Sequence, residues 1–185
     1  FAIIRLKFGS LSQEAVDNIN LIVETCEKYN LTYPQTAYLL ATTYHETGGT
    51  MKPIKEYGGW KYLSKYDTGR LAKALGNTPQ ADGDGQKYAG KGYAMITGYY
   101  NYKFAGEQLG IDLINNPDLA LQPKYAAEIL VKGSKEGWFT SKKLSDYIND
   151  KSKSYYQARR VINGLDKAQQ IADIAVVMEK ALRSY

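Results

Sequence analysis

The spacing of apolar and polar positions along the chain is that of a mainly helical protein. From Ser10 or Ser12 onward, Ala15, Ile19, Ile22, Val23 and Cys26 recur at helical intervals, which predicts an amphipathic helix to about Tyr29. Ser10 and Gln13 stand at capping-box spacing. A second run, Pro34 to Tyr44, sets Ala37, Leu40, Ala41 and Tyr44 on one face after a proline suited to a first turn, and Gly48-Gly49 stops it. Further helices are predicted over Gly69 to Leu75, over Tyr99 to Leu109 before Gly110, and over Pro123 to Lys132 before Gly133. The last helix is the clearest: Asp166 with Gln169 offers a cap, and Ile171, Ile174, Ala175, Met178, Ala181 and Leu182 form a core stripe. Strand signals are weak apart from a candidate hairpin in residues 51 to 63.

Between Gly48 and Gly98 the character changes, because eleven of the seventeen glycines fall there. That stretch is expected to be mostly loop with short helical pieces, and long ordered loops in compact domains usually carry function. The expected fold class is therefore mainly α: a single helical domain over residues 1–185 with a long glycine-rich irregular segment. A chain of this length buries a core without metals or disulfides, and the lone Cys26, at core spacing, is expected to act as a small buried hydrophobe.

Composition narrows the partners. The formal charge of +5 is spread along the chain, with a mild concentration around Lys142, Lys143, Lys151, Lys153, Arg159 and Arg160, which favours attraction to an anionic polymer. No dense basic stripe is interleaved with stacking aromatics, so a nucleic-acid partner is not expected. No apolar stretch reaches the length of a membrane span, and Phe1-Ala2-Ile3-Ile4-Arg5 has neither a signal-peptide layout nor an initiator methionine. Stable membrane insertion is thus not expected, and synthesis in a cytoplasm without a signal peptide is. Seventeen tyrosines against four phenylalanines supply flat apolar rings with polar tips, suited to half-wet clefts and sugar faces.

The chemistry centres on His45-Glu46. Glu46 falls in the last turn of the second helix, where exposed carbonyls carry the negative end of the helix dipole. That field, with burial against Tyr44 or Leu40, is expected to raise its pKa, and a carboxyl kept protonated near neutral pH is what acid-assisted cleavage of a glycosidic bond requires. A lone glutamate after a core helix is more often an ordinary surface residue, so the assignment needs further residues beside it. The single histidine excludes an H-E-x-x-H zinc site, and no nucleophile elbow accompanies it. Asp82-Gly83-Asp84-Gly85 hints at calcium, yet Gln86 and Lys87 stand at positions five and six, where an EF-hand needs its own ligand and glycine. Gly90-Lys91-Gly92 is neither a Walker loop nor a dinucleotide fingerprint. Neither a metal nor a cofactor is expected.

Further residues come from the motifs that follow. Ala41-Thr-Thr-Tyr-His-Glu-Thr-Gly-Gly-Thr-Met-Lys-Pro53, Leu75-Gly-Asn-Thr78, Gly83-Asp-Gly85, Tyr88-Ala-Gly-Lys-Gly92 and Ile96-Thr-Gly-Tyr-Tyr-Asn-Tyr102 together resemble glycoside hydrolase family 19. Asn115-Asn-Pro-Asp-Leu119 and Ala158-Arg-Arg-Val-Ile-Asn-Gly164 extend the likeness, which covers roughly residues 34 to 165 in matching order. The family includes chitinases and peptidoglycan-degrading endolysins of bacteriophages, and this short chain looks most like the endolysins.

The resemblance implies a lysozyme-like helical domain with a substrate cleft and inverting hydrolysis of a β-1,4 glycosidic bond. Glu46 matches the general acid. Glu56 is the nearest candidate for the base, with Asp67 and Asp84 as alternatives, and an inverting pair stands about 6.5 to 9.5 Å apart to admit water. Thr97 matches the hydroxyl residue that helps hold the attacking water, Asn101 a sugar-binding amide and Asn163 a cleft residue that competes with a helix-capping role. His45 is expected to contact substrate or position Glu46, and Arg159 and Arg160 to support a buried carboxylate or an anionic glycan. Met95 stands where the family usually carries glutamine, and Tyr93 where smaller or aliphatic residues are common, which implies a different glycan or subsite from the chitinases. The expected function is that of a monomeric endolysin cutting bacterial peptidoglycan between N-acetylmuramic acid and N-acetylglucosamine at the cell wall. The alternatives are a chitinase acting on N-acetylglucosamine polymers and a non-catalytic glycan-binding module.

Overall fold

The computed structural model describes residues 1–184. In chain order its elements are α1 (Ala2–Phe8), α2 (Gln13–Lys28), α3 (Tyr33–Glu46), β1 (Ile54–Lys55), α4 (Trp60–Leu63), α5 (Gly69–Leu75), α6 (Asp84–Lys87), β2 (Lys91–Gly92), α7 (Tyr99–Leu109), α8 (Pro123–Glu136), α9 (Leu144–Tyr147) and α10 (Ala168–Arg183), with short 3-10 turns at Ser64–Tyr66, Pro117–Leu121 and Gln157–Val161. The mainly helical class is the one adopted, and the sheet is a single antiparallel pair. Two compact units result: Phe1–Lys52 with the chain from Ala127 onward, and Pro53–Ala126.

In the first unit α3 is the central helix. Every residue from Thr36 to Thr43 is buried, so the one-sided stripe expected from Ala37, Leu40 and Ala41 is in fact a helix enclosed on all sides. Alanines and threonines let neighbours approach closely, and the Thr43 hydroxyl is satisfied by the carbonyl of Leu39 at 2.8 Å. Its start is fixed by a capping box: Thr32 accepts from the backbone of Gln35, and the Gln35 amide accepts from the backbone of Thr32. Helix α10 packs along α3 through Ile171, Ala175 and Met178, all fully buried. Cys26 lies in the α2 core, and burial pushes its thiol up to about 12, as suits an inert packing residue.

Several boundaries differ from expectation. Helix α1 precedes the first predicted helix and ends at Gly9. Ser12 alone caps α2, accepting from Ala15 N at 3.0 Å, so the Ser10–Gln13 box does not form. Helix α8 runs through Gly133, because the Phe139 and Trp138 rings lie 2.8 and 3.2 Å from where a β-carbon would stand, and the missing side chain lets them close over the helix. Asp166 and Gln169 do not cap α10. The Asp166 carbonyl accepts from Arg159 at 3.0 Å, Gln169 turns to Asp173, and Lys167 enters the helix with φ of 61°.

In the second unit the hairpin expected in residues 51 to 63 is absent. β1 pairs instead with the distant β2, Ile54 opposite Gly92 and Lys55 opposite Lys91, while Gly58-Gly59 leads into α4. Helices α5 and α7 occupy the predicted spans. Between them Asn77 is buried and joins two segments, donating to the Tyr66 carbonyl and accepting from Tyr99 N, each at 2.9 Å. The core is rich in tyrosine: the Tyr102 hydroxyl donates to Ala89 O at 2.6 Å and Tyr88 to Ile114 O at 2.9 Å. Part of the tyrosine excess is thus internal, with the polar tips paired to carbonyls. No helix among the described residues is long and apolar enough to cross a membrane.

Candidate active site

Glu46 is the last residue of α3, and the turn after it is closed by side chains as much as by glycine. The Thr47 hydroxyl donates to Thr43 O at 2.7 Å and accepts from Met51 N at 2.9 Å, and Met51 is wholly buried. Gly49 has φ of 84°, a backbone conformation that favours glycine, and a β-carbon there would stand 3.2 Å from the Tyr44 ring.

Arg159 Nη1 donates to Glu46 Oε1 at 2.9 Å. The arginine side chain is 4% exposed and the glutamate 24%, so one carboxylate oxygen is tied to a buried guanidinium while the group still reaches solvent. Arg159 is held in turn by the Asp166 carbonyl. The fold thus sets a guanidinium beside the carboxylate at the carbonyl end of the helix. Of the two neighbouring arginines it is Arg159 that meets the carboxylate. Arg160 is exposed and donates to Gln157 Oε1 at 2.8 Å. Asn163 is exposed, and its Oδ1 accepts from Gly164 N at 2.8 Å, a local turn bond. His45 is half-buried one residue from Glu46.

In the second unit Glu56 follows β1 and continues its ladder, donating its backbone N–H to Gly90 O at 2.7 Å. Its carboxylate is surrounded by donors: Tyr66 Oη at 2.9 Å and Lys65 Nζ at 3.9 Å from Oε1, and Gly90 N at 3.2 Å from Oε2. Burial and the neighbouring Glu56 raise the Tyr66 phenol, which keeps it a donor. Gly90 is also where two other predicted residues arrive: a β-carbon on it would stand 3.1 Å from Met95 Sδ and 3.2 Å from Thr97 Oγ1. Asn101 Nδ2 donates to Thr97 O at 2.7 Å. Glu56, Met95 and Thr97 thereby meet around one glycine, and Asn101 is tied to the Thr97 backbone.

Tyr93 is fully buried and packs in the core of this unit, so the expected sugar contact is corrected: an enclosed ring has no face for a ligand. The alternative bases are occupied elsewhere. Asp67 is buried and accepts from Gly83 N and Gly85 N at 3.0 and 3.1 Å, and Asp84 accepts from Thr78 N at 2.6 Å, so both staple the loop before α6. Asp67, Asp82 and Asp84 bring carboxylate oxygens within 4.8 Å of one another. Burial, then the adjacent Asp67 and Asp82, raise Asp84 above the usual carboxylate range although Thr78 opposes them.

Sequence reasoning missed Tyr66, Lys65 and Gly90 as partners of Glu56. Nothing in their spacing signals it: Gly90 arrives through a strand pairing formed at long range, and Lys65 and Tyr66 return to Glu56 across an irregular segment without periodicity. Each unit carries one half-buried carboxyl with its own partners: in the first Glu46 on a single guanidinium, in the second Glu56 in a ring of donors.

The residue profile of the chitinase class I family, glycoside hydrolase family 19, matches residues 24–151. An endochitinase of Pisum sativum is 39% identical over 88 residues, covering 46% of this chain and 27% of its own length. Chitinase 3 of Oryza sativa subsp. japonica is 34% identical over 121 residues, covering 63% and 34%. This chain thus spans about a third of these relatives. Chitinase C from Streptomyces griseus HUT6037 superposes with a TM-score of 0.65 at 19% identity, over 95% of this chain and 75% of that one. A bacterial family 19 chitinase does so with a TM-score of 0.57 at 20% identity, over 97% and 92%. At such identities these two structures share the fold.

Proposed function

Because the chain belongs to the chitinase class I family of glycoside hydrolases, family 19, we propose that it hydrolyses β-1,4 glycosidic bonds of bacterial peptidoglycan, between N-acetylmuramic acid and N-acetylglucosamine, with inversion. The observation that carries this reading is Glu46, half-buried at the end of α3 beside Arg159; Glu56, held among Tyr66, Lys65 and Gly90 N in the second unit, is the candidate base. Glu46 gives its proton to the leaving oxygen as the bond to the anomeric carbon breaks. Water attacks that carbon from the opposite face, and Glu56 takes the proton the water loses. Thr97, beside Gly90, holds that water with a hydroxyl that both donates and accepts. Asn101 and His45 offer sugar contacts on their respective units. No step calls for a metal or nucleotide.

The peptidoglycan assignment is supported by the formal charge of +5, which favours an acidic wall polymer, and by Met95, half-buried beside Gly90 where the family usually has glutamine. On this reading the chain acts at the bacterial wall as a monomeric endolysin. The competing chitinase reading is favoured by the plant relatives, which are endochitinases. Release of reducing ends from purified peptidoglycan and from a chitin oligomer separates the two. Faster release from peptidoglycan is expected; cleavage of chitin alone would establish the chitinase.

A further inference from the structure

The β1–β2 ribbon sets two lysines against each other. Lys55 and Lys91 are directly opposite in an antiparallel pair, so their side chains leave the same face, while Glu56, one residue on, belongs to the other. Like charges in that register repel. Lys91 is 1% exposed; its ammonium donates to Lys87 O at 2.8 Å, and its carboxylate neighbour is Asp118, at 3.9 Å and largely in solvent. Burial, opposed by Asp118 and reinforced by Lys55, lowers Lys91 to about 8. Lys55 has no carboxylate partner among the described residues.

That face opens on a cavity of about 420 Å³ lined by Lys55, Trp60, Gln86, Lys87, Lys91 and Asp118, among others. Three ammonium groups against one carboxylate leave it cationic. Two further features restrict the ligand. Gln86 is 6% exposed; its Nε2 donates to Trp60 O at 3.2 Å, but its Oε1 is buried with no partner, an acceptor that needs a donor. Trp60 is 71% exposed, an indole at the cavity wall whose ring lies against Gly83, 3.1 Å from where a β-carbon would stand. An exposed ring of this kind suits the apolar face of a sugar.

We propose that this cavity, on the ribbon face opposite Glu56, is a subsite for a carboxylate-bearing N-acetylated amino sugar. Lys55 and Lys87 take the carboxylate, Gln86 Oε1 accepts from a hydroxyl or the acetamide N–H, and Trp60 covers the ring. The choice of sugar acid rests on the peptidoglycan reading above, since chitin carries no such group and the muramic residue does.

The test is titration of the full chain with N-acetylmuramic acid, N-acetylglucosamine or sodium lactate, following the indole N–H resonances. Trp60 reports the cavity, and Trp138, the second tryptophan, is the control. N-acetylmuramic acid should shift Trp60 and leave Trp138 in place, with the neutral sugar and bare lactate each at least about tenfold weaker. Lys55→Glu, a change at an exposed position, should abolish the shift while the rest of the spectrum stays folded. Equal binding of the neutral sugar, equal binding of lactate, no binding at all, or retention by Lys55→Glu would each overturn the proposal. The monosaccharides have no bond to cleave, so the outcome is separate from the hydrolase reading. Binding without peptidoglycan cleavage keeps this subsite and removes that reading; cleavage without binding does the reverse.

Discussion

Replacing Glu179 by glutamine should weaken the helix that supports the candidate acid. Glu179 lies on α10 at 9% exposure, and its carboxylate accepts from Tyr155 Oη, from Lys153 Nζ at 2.9 Å and from Arg183 Nε at 2.8 Å. The Tyr155 ring in turn stacks on Tyr38 of α3, with centroids 6.3 Å apart. Burial alone would raise the Glu179 carboxyl; the donors from Tyr155, Lys153 and Arg183 outweigh it and bring it from 4.5 to about 2. That difference corresponds to about 3 kcal/mol of folding free energy. Lys153 and Arg183 are 49% and 52% exposed, so solvent screening reduces the expected loss to about 2 kcal/mol. Because the folded carboxyl titrates below its unfolded value, the contribution is complete above 4.5 and disappears as the pH falls through about 2. Urea denaturation of parent and Glu179→Gln should therefore differ by about 2 kcal/mol near neutral pH, a shift of roughly 4 to 8 °C in Tm. The gap should close progressively in acid. A difference below about 0.5 kcal/mol near neutrality, or one that persists undiminished in strong acid, would refute this account of the cluster.

Lys91 gives the opposite dependence. A buried ammonium titrating at about 8 destabilises the fold below that pH, so the parent should gain on Lys91→Met as the pH rises from 8 toward 10.5; a constant difference would contradict it. Asn77→Ala removes a buried donor and acceptor that join Tyr66 to Tyr99, and should cost about 2 to 4 kcal/mol in chemical denaturation. Gly90→Ala pushes a methyl against Met95 and Thr97 and should lower kcat on the true substrate by about tenfold or more, with a smaller change in stability. Full activity in that variant would remove Gly90 as the point that positions Thr97.

The helices were legible where periodicity and local capping agree. α5 and α7 end at Gly76 and Gly110, each in the left-handed conformation, and both spans match the sequence pattern. Local signals failed where a tertiary partner claimed the residue. The cap position of α10 is taken by Lys167, which leaves Asp166 one residue outside it with its carbonyl accepting from Arg159, and Gly133 lies inside a helix because two aromatic rings occupy its side-chain space. The β1–β2 pairing was illegible because two-residue strands carry no alternation and their register is set at long range. The site divides the same way. Glu46 was visible from its position at the end of a core helix and from the motif around it, whereas Arg159 and Arg160 were legible only as support for a buried carboxylate or an anionic glycan, and burial decides that Arg159 meets Glu46. Tyr93 carried a family position but no sign that the fold encloses it.

The most direct test of the central claim compares the parent with Glu46→Gln on purified peptidoglycan, assaying new reducing ends. The amide keeps the shape, and the hydrogen-bond acceptor facing Arg159, but has no proton to give. The parent should release reducing ends, and the folded variant should lose at least about a hundredfold of that rate. Equal rates in the two proteins would remove Glu46 from the chemistry, and the proposed mechanism with it.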